Sequence, residues 1–207
     1  FASSPLPESR ISTAPRVVAI VGGGFCGTVL AIRLLRMNAD RPLRIIIVEP
    51  RAELGAGVAY ATRDYPYPLN VAAGQMSLDP ANPGDFLEFA CGQGIHADAV
   101  DYLPRQVYGE YLRARLAAAR AAAPGVEFVH RQARALRLQR ATHRTGWELW
   151  LDDGRALRAD DVVLALGNPP PAPLPGRGAV RANGALVEDP WSLGQTSTRD
   201  LHSVLLL

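Results

Sequence analysis

Gly22, Gly24 and Gly27, in the run VVAIVGGGFCGT, have the spacing G-x-G-x-x-G. That spacing suits the cradling of a pyrophosphate. The first glycine permits a tight turn, the second lets the backbone approach the phosphates, and the third lets a helix pack closely on a strand. A helix that starts beside the second glycine offers free N–H groups and a partial positive charge to the anion. Such a site also needs an acid roughly 20 residues further on, to accept hydrogen bonds from a ribose diol. Glu49 stands there. The same acid would repel a 2′-phosphate, which favours FAD or NAD over NADP at this position. Glycines alone also fit an ordinary turn. It is the succession of strand, glycines, helix, strand and terminal acid that makes dinucleotide binding the expectation.

The elements that must position these residues are legible around them. Arg16 to Val21 is a near-continuous apolar run, as expected for a strand of a parallel sheet covered on both faces. Phe25 to Met37 has helical periodicity, with Val29, Leu30, Leu34 and Met37 on one side. LRIIIVEP, from Leu43 to Pro50, is a second buried strand stopped by its proline, which completes a βαβ unit. A turn-rich region from Arg51 to about Pro83 precedes a helix near Pro83 to Cys91. A stronger helix, about Arg105 to Ala123, ends at Pro124-Gly125. VEFVHRQARALRLQR alternates as one or two strands. WELWLDDGRAL is a hairpin turning at Asp153-Gly154. DDVVLALG is another buried strand that stops at Gly167. NPPPAPLPG can be neither helix nor central strand.

Composition narrows the function classes. An apolar fraction of 48% and a charged fraction of 20% describe an ordinary globular chain. A net charge of only +2 gives no support to nucleic-acid or membrane-surface binding. Lysine is absent, so lysine Schiff bases and the P-loop lysine are excluded. Cys26 and Cys91 form no C-x-x-C pair, and the four histidines are scattered, so no metal site is expected. No apolar run reaches the length of a membrane span. Residues 1–15 are polar, Pro/Ser-rich and without an apolar h-region, as expected for a disordered leader and a cytoplasmic setting.

The choice between FAD and NAD turns on the chain after Glu49. A simple NAD domain brings its next parallel strand soon after the acid. Here the next apolar strand signal comes only near Val126. The intervening LGAGVAYATRDYPYPLNVAAGQMS is rich in glycines, aromatics and amides. Such a loop suits a second large ring system such as an isoalloxazine, the alternative being a surface insertion.

VVAIVGGGFCGT, GVAY, LNVAAGQMS, FLEF, LPRQVYGEYL and VVLALGNPPP together resemble a known family. The chain is similar to the N-terminal FAD/NAD(P)-binding domain of bacterial flavoproteins that include flavin-dependent urate hydroxylases and nitrosynthase-type N-monooxygenases. The resemblance implies a Rossmann-like α/β FAD-binding fold, with a parallel sheet, helices on its faces and a small antiparallel β-meander. It implies FAD held by residues 16–175. Residues 176–207 would then be a connector and the start of a second, NAD(P)H-binding lobe, for which HSVLLL supplies the opening strand but no glycine turn. Ala165-Leu166-Gly167 stands where related flavoproteins often carry Ala-Thr-Gly, a modest departure from the resemblance. The candidate cofactor-binding residues are Gly22, Gly24, Phe25, Cys26, Gly27, Glu49, Pro50, Arg51, Asn70, Gln75, Met76, Arg105, Ala133 and Gly167. The resemblance suggests that Arg105 reaches FAD, where a guanidinium suits a pyrophosphate or flavin edge; otherwise it is a solvated residue at a helix start. Amides such as Asn70 and Gln75 can bond a flavin ring and Met76 can pack on its face, unless they serve only the loop itself. Cys26, at a helix N-terminus, is either a thiol of lowered pKa or a small packed residue.

Three functions follow from these expectations. One is an FAD-dependent oxidoreductase, above all an NAD(P)H-dependent monooxygenase of a small-molecule substrate, with oligomeric state left open. A second is an FAD-holding module without turnover. A third is an NAD-dependent Rossmann dehydrogenase.

Overall fold

The computed structural model describes residues 14–38, 42–63, 66–142 and 145–168. Strand β1 (Arg16–Val21), helix α1 (Phe25–Met37) and strand β2 (Leu43–Val48) form the expected βαβ unit. The two strands pair in parallel from Arg16 opposite Leu43 to Val21 opposite Val48. A 3₁₀ turn (Ala73–Gln75), α2 (Asp85–Gly92) and α3 (Arg105–Ala121) follow. Then come β3 (Glu127–Arg131), β4 (Ala135–Arg140), β5 (Trp147–Leu151), β6 (Ala156–Ala159) and β7 (Asp161–Leu164). β3 joins β2, and β7 joins β1, both in parallel, which gives a four-stranded sheet in the order β3-β2-β1-β7. β4, β5 and β6 make a separate antiparallel sheet in that order. The β5–β6 turn contains Gly154 at φ +78°.

Side chains on a strand alternate between faces, and both faces of the parallel sheet are covered. Val18, Ile20, Leu43, Ile45 and Ile47 pack with Ala31, Ile32 and Leu35 of α1 and with Tyr108, Leu112 and Leu116 of α3. Val21, Ile46 and Val48 face the other way, onto Leu149 and Leu151 of the antiparallel sheet. Uninterrupted apolarity in β1 and β2 is the consequence of this double burial. The result is three layers: helices, parallel sheet, antiparallel meander.

Two expectations need correction. The most buried residues of α1 are Gly27, Thr28, Ala31, Ile32 and Leu35. Val29, Leu30 and Leu34 flank that face, and Met37 is 79% exposed. Small Gly27 and Ala31 let the helix approach the sheet closely, so the face is set by close fit rather than by the bulkiest residues. β7 is not buried: Val163 and Leu164 are exposed, as is Leu166 beyond it. β7 pairs only with β1 among the described residues; its Val162 packs on the second core, whereas Val163 and Leu164 find no such cover. Of the expected leader, residues 1–15, only residues 14 and 15 are described, and the expected connector and second lobe, residues 176–207, lie wholly outside the described residues.

Candidate functional site

Gly22 follows β1 with φ +104°, a conformation that L side chains rarely adopt. Its N–H donates to the Val48 carbonyl at 2.9 Å, which ties the turn to the end of β2. A Cβ here would lie 2.2 Å from the Ala165 carbonyl oxygen, because Ala165 bonds back to Val21 as the chain leaves β7. At Gly27 a Cβ would fall 1.9 Å from the Gly22 carbonyl oxygen. The helix therefore sits directly on the turn.

Gly24 is different. Its φ of −73° is open to any residue. The nearest atom to a Cβ there would be the Gly57 Cα at 3.5 Å, an ordinary contact. Neither conformation nor internal packing requires glycine at this position. What a side chain would fill is space beside the α1 N-terminus, which has no side-chain cap and no acidic residue in its first turn. The N–H groups behind such a cradle, with no partner among the described residues, suit the phosphates of a dinucleotide.

Gly23, absent from the expected set, also belongs to the site. A Cβ there would meet Leu54 Cδ2 at 2.4 Å and Glu49 Cβ at 2.9 Å. Its N–H donates to Glu49 Oε2 at 2.9 Å, and its carbonyl accepts from Gly55 N–H at 2.8 Å and from Thr28 Oγ1 at 3.1 Å. Thr28 is fully buried. The sequence signal was the middle member of the glycine run, which the G-x-G-x-x-G pattern treats as arbitrary.

Glu49 is 3% exposed, an unusual place for a carboxylate. Arg51 holds it through its backbone N–H, 3.1 Å from Oε1, and through its side chain, with Nε 2.8 Å from Oε1 and Nη2 3.2 Å from Oε2. Burial pushes the Glu49 pKa up, but the hydrogen bonds from Arg51 and Gly23 outweigh it and hold the carboxyl below its usual range. The acid is thus ionised and aimed from the end of β2 across the glycine turn. Pro50 is exposed beside it. Ala133 lies just past β3, buried with Val21 and Val48, and donates its N–H to the Arg131 carbonyl at 2.9 Å. Gly167 is exposed at φ +69° with open space around it.

A second group of residues lies beside the α1 N-terminus. Phe25 is 38% exposed and packs its ring near Tyr60 and Tyr108, at centroid distances of 6.3 and 6.2 Å. Burial raises the Tyr60 pKa, and the positive charge of Arg105 opposes that rise. Arg105 donates its backbone N–H to the Tyr67 carbonyl at 2.8 Å and Nε to the Pro68 carbonyl at 3.0 Å, which ties the loop to the start of α3. Cys26 is exposed. Asn70 and Gln75 are exposed, while Met76 packs partly on the helical core. No hydrogen bond among the described residues joins Asn70 or Gln75 to the glycine turn. Gly57 and Tyr60 were not singled out individually in the sequence, although GVAY contributed to the resemblance.

Among the described residues, no three His, Cys, Asp or Glu side chains are grouped to hold a metal, and no helix is long and apolar enough to cross a membrane. A cleft of about 440 Å³ between the end of α3 and β3, lined by Arg120, Pro124 and Phe128, lies at the opposite end of the sheet from the glycine turn.

The fold is similar to several solved structures. The closed crystal structure of cyclohexanone monooxygenase aligns at a TM-score of 0.54 and 17% identity, over 79% of this chain and 28% of that one. Cyclohexanone monooxygenase from Rhodococcus sp. Phi1 bound to NADP+ aligns at 0.52 and 20%, over 74% and 26%. OTEMO in complex with FAD and NADP aligns at 0.50 and 15%, over 78% and 27%. The chain therefore spans little more than a quarter of the length of these structures, and at such identities the likeness shows the fold. No protein with a curated description matches it. Residues 19–169, which contain the glycine turn, Glu49 and every strand from β2 to β7, match the FAD-NAD(P)-binding family. The chain belongs to that family.

Proposed function

We propose that this chain is the FAD-binding part of a flavin-dependent oxidoreductase, an NAD(P)H-dependent monooxygenase of a small molecule. The observation that carries the reading is Gly24. It is a glycine that neither its backbone conformation nor its neighbours require, set at an uncapped helix N-terminus and next to a buried, ionised Glu49. In this reading Gly22, Gly24 and the first turn of α1 (Phe25, Cys26, Gly27) face the pyrophosphate. Glu49 holds the adenosine ribose, with Pro50, Arg51 and Ala133 around the adenosine. Gly167, Arg105, Asn70, Gln75 and Met76 stand on the flavin side. Bound FAD would supply two-electron exchange with a nicotinamide and activation of O₂; the chain's own residues bind and orient it. The meander speaks against a plain NAD dehydrogenase, whose sheet carries helices on both faces, whereas here one face is covered by β4–β6.

The chain's short span relative to the structures it resembles keeps the FAD-holding module as a second reading. Loading the protein with FAD and adding NADPH without oxygen separates the two. Saturable bleaching of the flavin band supports the oxidoreductase. Bound flavin that NADPH bleaches no faster than free FAD, even when the chain is joined to a nicotinamide-binding lobe, supports the module.

A further inference from the structure

The Glu49 carboxylate has about four lone-pair directions in all, and all four are taken. Two are used by backbone donors within the fold, Gly23 N–H on Oε2 and Arg51 N–H on Oε1. The other two accept the Arg51 side chain, one on each oxygen, Nε on Oε1 at 2.8 Å and Nη2 on Oε2 at 3.2 Å. The carboxylate side chain is 4% exposed while that of Arg51 is 47% exposed, so the guanidinium covers the acid from the solvent side. A guanidinium presents two N–H groups in a fork matched to a carboxylate. A ribose 2′,3′-diol presents two O–H groups that would address the same two oxygens.

Resting on the reading that Glu49 is the ribose acid, the geometry points to Arg51 as a competitor of the diol: its side chain holds the carboxylate edge in the free protein and must leave it when the ribose docks. The backbone donors from Gly23 and Arg51 stay in place, so the carboxylate keeps its orientation while one pair of donors replaces the other. The free acid is never left bare in a buried position, which would be costly. The consequence is one of specificity. Because the diol's hydrogen bonds are exchanged for those of Arg51, the protein discriminates weakly between a ribose and a 2′-deoxyribose. Removing the Arg51 fork makes that discrimination stronger.

The test compares ADP with 2′-deoxy-ADP by titration calorimetry on the full chain and on Arg51→Met, which keeps an unbranched apolar stem and removes the fork. The expected result is a ratio of dissociation constants close to unity for the parent and larger in Arg51→Met by about tenfold, the scale of one hydrogen bond to a charged group. Contacts between residue 51 and the base or phosphates are common to both ligands and cancel in the ratio. Arg51→Lys, which keeps one donor group without the fork, should fall between the two, and it serves in place of Arg51→Met if that variant does not fold. A ratio that is unchanged or smaller in the variants overturns the competition while leaving the ribose site standing. Failure of the parent to bind ADP, ADP-ribose or FAD overturns the site reading itself, and the competition with it.

Discussion

The glycines of the turn look alike in sequence and differ in their surroundings. Gly23 is enclosed by Leu54 and Glu49, whereas a Cβ on Gly24 would make only an ordinary contact, 3.5 Å from the Gly57 Cα. Gly24→Val should therefore keep the fold and lose bound flavin, while Gly23→Ala should lower stability by roughly 1–3 kcal/mol, the cost of overpacking. Circular dichroism with urea denaturation, read beside flavin content, separates the two. Glu49 adds a pH dependence. Its folded pKa lies below the unfolded one, so its ionisation stabilises the fold above the ordinary glutamate value of about 4.3 and that contribution is lost as pH falls through the folded value. Glu49→Gln should be less stable than the parent near neutrality, and the gap should narrow on acidification below about pH 4.3. Urea midpoints across that range would show it, and a constant gap would contradict the ion pair with Arg51. Gly22, Gly24, Gly27 and Glu49 were legible because their roles follow from spacing along one βαβ unit. The engagement of Glu49 by Arg51 was not, because spacing does not say which donors fill a carboxylate.

At the scale of elements, α1 is seated by Gly27 against the Gly22 carbonyl. Gly27→Ala places a methyl group where the turn's own oxygen lies, so the helix must move off. The expected outcome is a drop in the urea midpoint together with weakened binding of ADP, since the helix N-terminus shifts with the helix. Loss of stability with unchanged ADP affinity would detach the helix end from the site. β1, α1 and β2 were legible almost to the residue because period and glycine punctuation agree there. α3 stops at Ala121, just short of the expected Ala123, where Pro124 disfavours helical geometry in the residue before it. The burial of α1 and β7 was misjudged because apolarity reports a preference for cover and not whether a neighbouring layer exists. Met37 and Leu164 have none among the described residues.

At the scale of the whole molecule, the parallel sheet is held from both sides. The helical layer was foreseeable from amphipathic periodicity. The packing of the meander on the sheet's second face was not, because the faces that meet come from distant parts of the chain: Val21 and Val48 against Leu149 and Leu151. Leu149, at 1% exposure, is the centre of that second core. Leu149→Ala should cost about 2–5 kcal/mol, while Trp150→Ala, at a position 41% exposed on the opposite face of the same strand, should cost far less. Thermal or urea unfolding of the pair would expose a meander that is only loosely attached, since the two changes would then be equal. Because β3, which precedes the meander, lies beside β2 and leads to Ala133, loosening this layer should also disturb the acid end of the site.

The central claim is that the glycine turn and Glu49 together hold FAD. It is tested most directly by titrating flavin-free protein with FAD and following quenching of flavin fluorescence, for the parent, Gly24→Val and Glu49→Ala. The account predicts one FAD bound per chain by the parent and none by Gly24→Val. It predicts a smaller loss of affinity in Glu49→Ala, below the roughly 1.5–3 kcal/mol of an uncontested hydrogen bond to a charged group, because binding exchanges the Arg51 donors for the ribose diol. Stoichiometric FAD on Gly24→Val, or a parent chain that binds NAD and refuses FAD, would contradict it.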